Sequence, residues 1–308
     1  MNKFFFTTFL VCQLFASNVP LEESFKKVEH NEFSSPVRNI DFIYMINLDQ
    51  RPEKFQKSLE QLAPYGIVPY RFSAVNGWEL TMETINNVGV TFEPWMVASK
   101  MGTYYPLGGD GEPQHEVVQT PGRTYFGHCM SRGAIGIVLS HLSILQDAYD
   151  RGYQTIWVME DDIEIIQSPH ILSELIDQLD TLVGKEGWDI LFTDQDTKGQ
   201  NGMYVPCGAY AWKLGFNPPN PNKCQERYDI SPLFRRVGSR YGAYSMIIRQ
   251  SGMKKLLDFF KRSKIFLPFD MEFTFPPTIQ LVTVIHDVVS TLPQALSDNG
   301  SPNYKKKN

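Results

Sequence analysis

The chain has 308 residues, of which 42% are hydrophobic and 13% aromatic, and a formal net charge of −5. That is enough apolar material for one large domain or two small ones, and too much for general disorder. The acidic balance excludes a broad basic surface for nucleic acid, so an anionic substrate would need a metal ion or local Arg and Lys to hold it.

Lys3 precedes an apolar run from Phe4 to Ala16, and small and polar residues follow. The run is short for a bilayer span and fits the core of a signal peptide over residues 1–17, with a short uncleaved anchor as the alternative. The expectation is a chain exported to an envelope or secretory lumen, with membrane-surface association through the N-terminus where that segment is retained. Residues 18–37 read as a polar linker, 38–300 as the main domain and 301–308 as a solvated basic tail. Cys129, Cys207 and Cys224 remain after the leader, and without CxxC spacing they argue against a zinc site. Cys207 and Cys224 flank a Pro- and Asn-rich loop, where they either pair or stay thiols.

"DFIYMINLD" (41–49) reads as a strand, and "RPEKFQKSLEQLAPYG" (51–66) as a helix with Pro52 in its first turn and Gly66 at its stop. "IVPYRFSAV" (67–75) is the next strand, closed by Asn76-Gly77. This order is a βαβ unit, the signature of a parallel sheet. Residues 78–127 look irregular, and the Gly- and Pro-rich part from Met101 reads as a long loop. "GAIGIVLSHLSILQDAYDRG" (133–152) reads as a helix, followed directly by the strand "TIWVMEDDI" (155–163). A helix is expected from Ser168-Pro169 to Gly184, then the strand "WDILFTDQD" (188–196). A strand, turn and helix follow over 242–264, and one last strand over 281–291.

Acidic residues recur at strand ends, where open α/β sheets bind ligands. Glu160, Asp161 and Asp162 stand at such an end. Alternation along a strand sends Glu160 and Asp162 to one side and Asp161 to the other. Carboxylates alone suit a hard cation such as Mg²⁺ or Mn²⁺, and such ions usually share their shell with substrate phosphates. That points to a nucleoside diphosphate, while a solvated acidic turn is the plain structural alternative.

Several segments, in order, resemble glycosyltransferase family 25, which includes lipooligosaccharide and collagen galactosyltransferases. They are "INLDQRPEK", "SAVNG", the "GAIGIVLSH" helix, the "EDD" strand end, "YGAYSMIIRQSGMKKLL" and "LPFDMEF". The resemblance implies an α/β fold of GT-A type with a mostly parallel central sheet. It implies a metal-dependent transfer of a hexose, galactose in the first instance, from a UDP-sugar to a saccharide acceptor such as lipooligosaccharide or a glycoprotein. It sets Asp162 and Glu160 as ligands of Mn²⁺ or Mg²⁺, with Asp161 or Glu160 reaching ribose or metal-bound water. Asn47, Leu48, Asp49 and Arg51 would lie near the nucleotide, although Arg51 also has Glu53 within reach. Bacterial relatives that work at the cytoplasmic membrane face make that the alternative location.

Asn76 stands where the resemblance leads one to expect Asp, which keeps hydrogen bonds and loses the charge. Asp194 and Asp196 replace an apolar-then-Gly run. For the general base, Asp270 is the first candidate, hemmed in by Phe269 and Phe273, and Asp194 the second. His286 is either a late metal ligand or a buried structural residue, and His141 reads as a packed helix residue. Two rival functions remain: an inactive member serving as a carbohydrate-binding or adhesion module, and a phosphohydrolase, against which the few histidines argue.

Overall fold

The computed structural model describes residues 19–29, 35–98, 100–108, 111–198, 202–204 and 212–293. The expected leader, the basic tail and Cys207, with its pairing, lie outside them.

β1 (Phe42–Asn47) is buried along its whole length, and α1 (Pro52–Leu62) begins at the expected proline. β2 (Tyr70–Ser73) returns parallel to β1, with Asn47 opposite Ser73. Residues 78–127 are more regular than expected. They hold α2 (Met82–Val88), β3 (Val90–Thr91), β4 (Met101–Tyr104), β5 (Gln114–Val117) and β6 (Thr124–Gly127). These strands form a small antiparallel sheet ordered β3-β6-β4-β5. Strands this short leave no readable alternation in the sequence.

α3 (Arg132–Asp150) is capped by Ser131, whose hydroxyl accepts from the Ala134 N–H, and is buried on most sides. It leads into β7 (Thr155–Glu160), parallel to β1, with Ile46 opposite Glu160. β8 (Ile163–Ile165) follows the acidic turn. α4 (Ile171–Val183) starts later than expected, because Ser168, Pro169 and His170 form a turn whose carbonyls accept the helix's first N–H groups. β9 (Ile190–Phe192), β10 (Arg227–Asp229), β11 (Phe234–Val237), β12 (Ser245–Arg249), α5 (Gln250–Ser263) and the short α6 (Phe269–Glu272) come next. The expected last strand is two strands. β13 (Leu281–Val284) stays in the large sheet, while β14 (Val289–Thr291) pairs with β8.

The eight-stranded sheet runs β10-β11-β13-β9-β12-β7-β1-β2. The expected parallel pairing is present in β1–β2, β1–β7 and β9–β13. β12 runs antiparallel to both β7 and β9, so the sheet as a whole is mixed. One apolar layer packs α3 and α5 on one face, and a second packs α1 and α4 on the other. Part of the segment read as a linker belongs to the domain. Leu21 is 1% exposed in the first layer, Phe25 and Val28 pack against it, and the Lys26 N–H donates to Ser143 Oγ at 2.9 Å. No helix among the described residues is long and apolar enough to cross a membrane.

Candidate active site

The acidic turn follows β7, at the middle of the sheet edge. The Glu160 N–H donates to the Tyr244 carbonyl (2.8 Å), which fixes the last residue of β7 against the start of β12. Glu160 and Asp162 both line two adjoining cavities, of about 90 and 390 Å³. Asp161 turns its Oδ2 to the Asn47 amide, which donates at 2.5 Å, while the Asp161 carbonyl accepts from Ser58. Glu160 and Asp162 share both cavities, whereas Asp161 lines only the smaller one and also ties the turn to β1 and α1.

The other wall of the smaller cavity is the Val75–Trp78 turn packed on α3. Two glycines allow this approach. A Cβ on Gly77 would lie 1.7 Å from the Arg132 carbonyl oxygen, and one on Gly136 would lie 2.5 Å from the Val75 carbonyl oxygen. Ser140 Oγ accepts from the Val75 N–H (2.8 Å) and donates to the Gly136 carbonyl (2.8 Å). The Arg132 guanidinium donates to the Trp78 and Leu80 carbonyls at 2.7 and 2.8 Å. Asn76 Oδ1 accepts from the Trp78 N–H. Asn76 Nδ2 and Trp78 Nε1 are buried beside the cavity with no hydrogen-bond partner among the described residues. Two orphaned donors in one turn are unusual in a folded chain and fit a ligand rich in acceptors.

At the end of β1, Leu48 lines the smaller cavity, and so does Lys54 of α1, which the sequence reading passed over. Asn47 and Asp49 act from behind. Arg71 donates to Asn47 Oδ1 (2.7 Å) and Asp49 Oδ1 (2.8 Å), and Ser73 Oγ donates to Asp49 Oδ2 (2.7 Å). The Ser73 hydroxyl and then Arg71 hold the Asp49 carboxyl below its ordinary range, against partial burial. Arg51 does not reach the cavity. Its Nε pairs with Glu53 Oε1 at 2.5 Å on the surface, the local alternative noted above.

The larger cavity carries a third carboxylate. Asp270 lies in α6, after Pro268, and its Oδ2 accepts from the Gly242 N–H at 3.0 Å. Burial raises its pKa, and the Gly242 N–H works against that rise. Burial first, and then the charges of Asp162, Asp161 and Asp270, push the Glu160 carboxyl up to about 8, with Lys54 opposing. A crowd of carboxylates out of water is costly, and a cation entering it relieves that cost. His141 lies beneath. Its ring stacks on Phe269 at 4.2 Å, its Nδ1 donates to the Ile137 carbonyl (3.0 Å), and burial lowers its pKa to about 4. It packs as the sequence suggested, but it also lines the smaller cavity, and its Nε2 is buried with no hydrogen-bond partner among the described residues.

Two expectations are corrected. Asp194 is 5% exposed, lines neither cavity, and gives its Oδ2 to the fully buried Arg240 at 2.7 Å. Its carbonyl also accepts from Arg240 and from Thr283 Oγ1. Burial and the Arg240 pair account for Asp194 as a structural carboxylate. His286 is exposed in the turn between β13 and β14 and also lines neither cavity. Sequence proximity to a strand end does not fix which way a turn residue points.

Among the described residues no three His, Cys, Asp or Glu side chains converge as a closed metal cage. The donor set fits an open site instead. Glu160 and Asp162 share the cavity, and Mg²⁺ or Mn²⁺ commonly takes one or two carboxylates and completes its shell with phosphate oxygens. The Asp162 backbone is held in place, since its carbonyl accepts from the Leu292 N–H (2.9 Å) and from Thr291 Oγ1 (3.2 Å).

Comparison with known proteins agrees with the resemblance read from the motifs. The profile described as Glycosyltransferase family 25 (LPS biosynthesis protein) matches residues 40–272. A "Glycosyltransferase 25 family member" of Aedes aegypti is 27% identical over 58% of this chain and 26% of its own length. An "Inactive glycosyltransferase 25 family member 3" of Homo sapiens is 24% identical over 70% of this chain and 28% of its own. "Procollagen galactosyltransferase 1" of Danio rerio is 27% identical over 40% of this chain and 16% of its own. The match thus spans about a quarter of the first two of these longer relatives and about a sixth of the third. With the profile covering most of its length, the chain belongs to glycosyltransferase family 25.

Proposed function

We propose that the domain is a metal-dependent glycosyltransferase of GT-A type that moves a hexose from a UDP-sugar to a saccharide acceptor, galactose being the first donor to test. The observation that carries this is the convergence of Glu160, Asp162 and Asp270 on one cavity of about 390 Å³. In this reading Glu160 and Asp162 hold Mn²⁺ or Mg²⁺, whose chemistry is to neutralise the diphosphate as it leaves. The Asn76–Trp78 turn and Lys54 offer donors to the nucleotide from the adjoining cavity. Asp270 receives the proton of the acceptor hydroxyl, and its partial desolvation raises its basicity for that task. The Gly242 N–H holds Oδ2 of that carboxylate in place.

The human relative's name favours a second reading, a member that keeps the fold and binds sugar without transfer. The two separate in one screen. UDP-sugars are incubated with the protein, with Mn²⁺ and with EDTA, and released UDP is measured. Transfer chemistry predicts Mn²⁺-dependent release from at least one UDP-hexose. Sugar binding with no release and no nucleotide affinity supports the binding module. The location proposed is outside the cytoplasm, and N-terminal sequencing that finds residues 1–16 on a cytoplasmic protein contradicts it.

A further inference from the structure

A cavity larger than either of the two at the acidic turn lies away from the carboxylates. A cleft of about 1220 Å³ runs between the small sheet and the end of α5, and it shares no lining residue with the two cavities at the acidic turn. Nothing in the proposed transfer chemistry uses it. Its rim carries large apolar side chains left open to water: Trp95 is 72% exposed and Leu107 71%. An indole this exposed at the mouth of a cleft is a flat apolar plate without a cover, the kind of surface that marks a binding site.

The charge in the cleft is one-sided. Among the described residues, four basic side chains line it, Arg123, Lys261, Arg262 and Lys264, against one acid, Glu93, in a chain whose net charge is −5. The last turn of α5 accounts for Lys261 and Arg262 in part, since cations offset the negative end of a helix. Arg123 owes nothing to that helix. It comes from the opposite wall, where Glu116 holds it at 2.6 Å and its guanidinium lies 4.3 Å over the Tyr104 ring. Lys264 is pinned at the floor, donating to the Val19 and Asn87 carbonyls at 2.6 and 3.1 Å. Arg123 is thus already paired on the small-sheet wall, and Lys261 and Arg262 carry the positive charge of the α5 wall.

We propose that this cleft is a second, non-catalytic carbohydrate site that binds an acidic oligosaccharide. Sugar rings present apolar C–H faces to Trp95, and carboxylate, sulfate or phosphate substituents meet Lys261 and Arg262. The concavity favours a chain molecule over a flat bilayer. Calling the bound chain an acceptor rests on the transferase reading above. The binding itself does not.

The test is calorimetric, on the full chain, with two probes: a sulfated hexasaccharide and neutral maltohexaose. The wild type is expected to bind the sulfated probe about tenfold more tightly than the neutral one. Trp95→Ala should weaken binding by about tenfold, the scale for loss of an aromatic anchor. The Lys261→Glu/Arg262→Glu double variant should weaken binding of the sulfated probe alone. UDP affinity, measured in parallel, should not change in either variant, so failure of this inference is distinct from failure of the transferase reading. No binding of either probe by the wild type overturns the proposal. So does binding that survives both variants. Vesicles of phosphatidylcholine and phosphatidylserine that bind in place of the hexasaccharide, and are lost in the same variants, overturn it in favour of a membrane surface.

Discussion

Asp162 and Asp270 face the same cavity with different supports, so they should fail differently when neutralised. Asp162→Asn is expected to lose Mn²⁺-dependent UDP binding and transfer together. Asp270→Asn is expected to keep UDP affinity and lose about 10² to 10⁴ in transfer rate, the usual share of a general base. Steady-state kinetics beside UDP titration separates them, and an Asp270→Asn enzyme near the wild-type rate removes Asp270 from the chemistry. Asp194 should behave as neither. Asp194→Asn leaves Arg240 buried beside a neutral amide, which costs about 3–5 kcal/mol of stability. Denaturant unfolding reads that loss directly, and a stable but inactive variant would restore Asp194 as a catalytic candidate. The acidic turn was legible because a run of carboxylates interrupts a buried strand, which propensity does not explain. The true setting of Asp194 was hidden because its partner, Arg240, lies far along the chain. The same distance hid Glu272, whose fully buried Oε1 takes Lys213 Nζ at 2.7 Å and the N–H groups of Phe266 and Leu267. That carboxylate anchors the segment in which Asp270 sits.

The contact of the Val75–Trp78 turn with α3 is the joint that shapes the smaller cavity. Gly136→Ala places a methyl group against the Val75 carbonyl and the Gly77 nitrogen, both backbone atoms that have no rotamer to change. The expected cost is about 1–3 kcal/mol of stability, and UDP affinity should fall as the turn is pushed away. Thermal unfolding with UDP titration checks both, and an unchanged UDP affinity would show that the turn does not contact the nucleotide. The α/β frame around this joint was readable from the sequence, because β1, α1, α3 and β7 are long or strongly patterned. The small sheet was not. Its strands span two to four residues, and Gly102 and Gly127 within them leave no side chain to reveal a face. Those glycines are packing requirements, since a Cβ on either would meet Val118 or Leu267 at 2.6 or 2.7 Å.

For the molecule as a whole, the site should show itself in the pH dependence of stability, measured without metal. Glu160 holds its proton in the folded state up to about 8 and loses it near 4.5 when unfolded. The folded state binds more protons across that window, so this group makes stability fall as pH rises from 4.5 to 8. His141 has the opposite sign. Its folded value of about 4 lies below 6.5, so its contribution rises with pH from 4 to 6.5 and is lost as pH falls. Above 6.5 the Glu160 slope stands without that compensation. Glu160→Gln should abolish the decline toward pH 8, leaving the variant more stable there by a few kcal/mol, while destroying activity. Urea unfolding at pH 6.5 and 8 checks it, and parallel slopes for variant and wild type would contradict the crowding described here. A fold that stores destabilising charge at one strand end is expected of a site built around a ligand.

The most direct measurement is isothermal titration of UDP into the wild-type protein with Mn²⁺ and with EDTA. Binding that appears with Mn²⁺ and disappears with EDTA, and that Asp162→Asn abolishes in the Mn²⁺ arm, is the predicted result. UDP binding of equal strength in both arms, or none in either, would contradict a cation shared between Glu160, Asp162 and the donor.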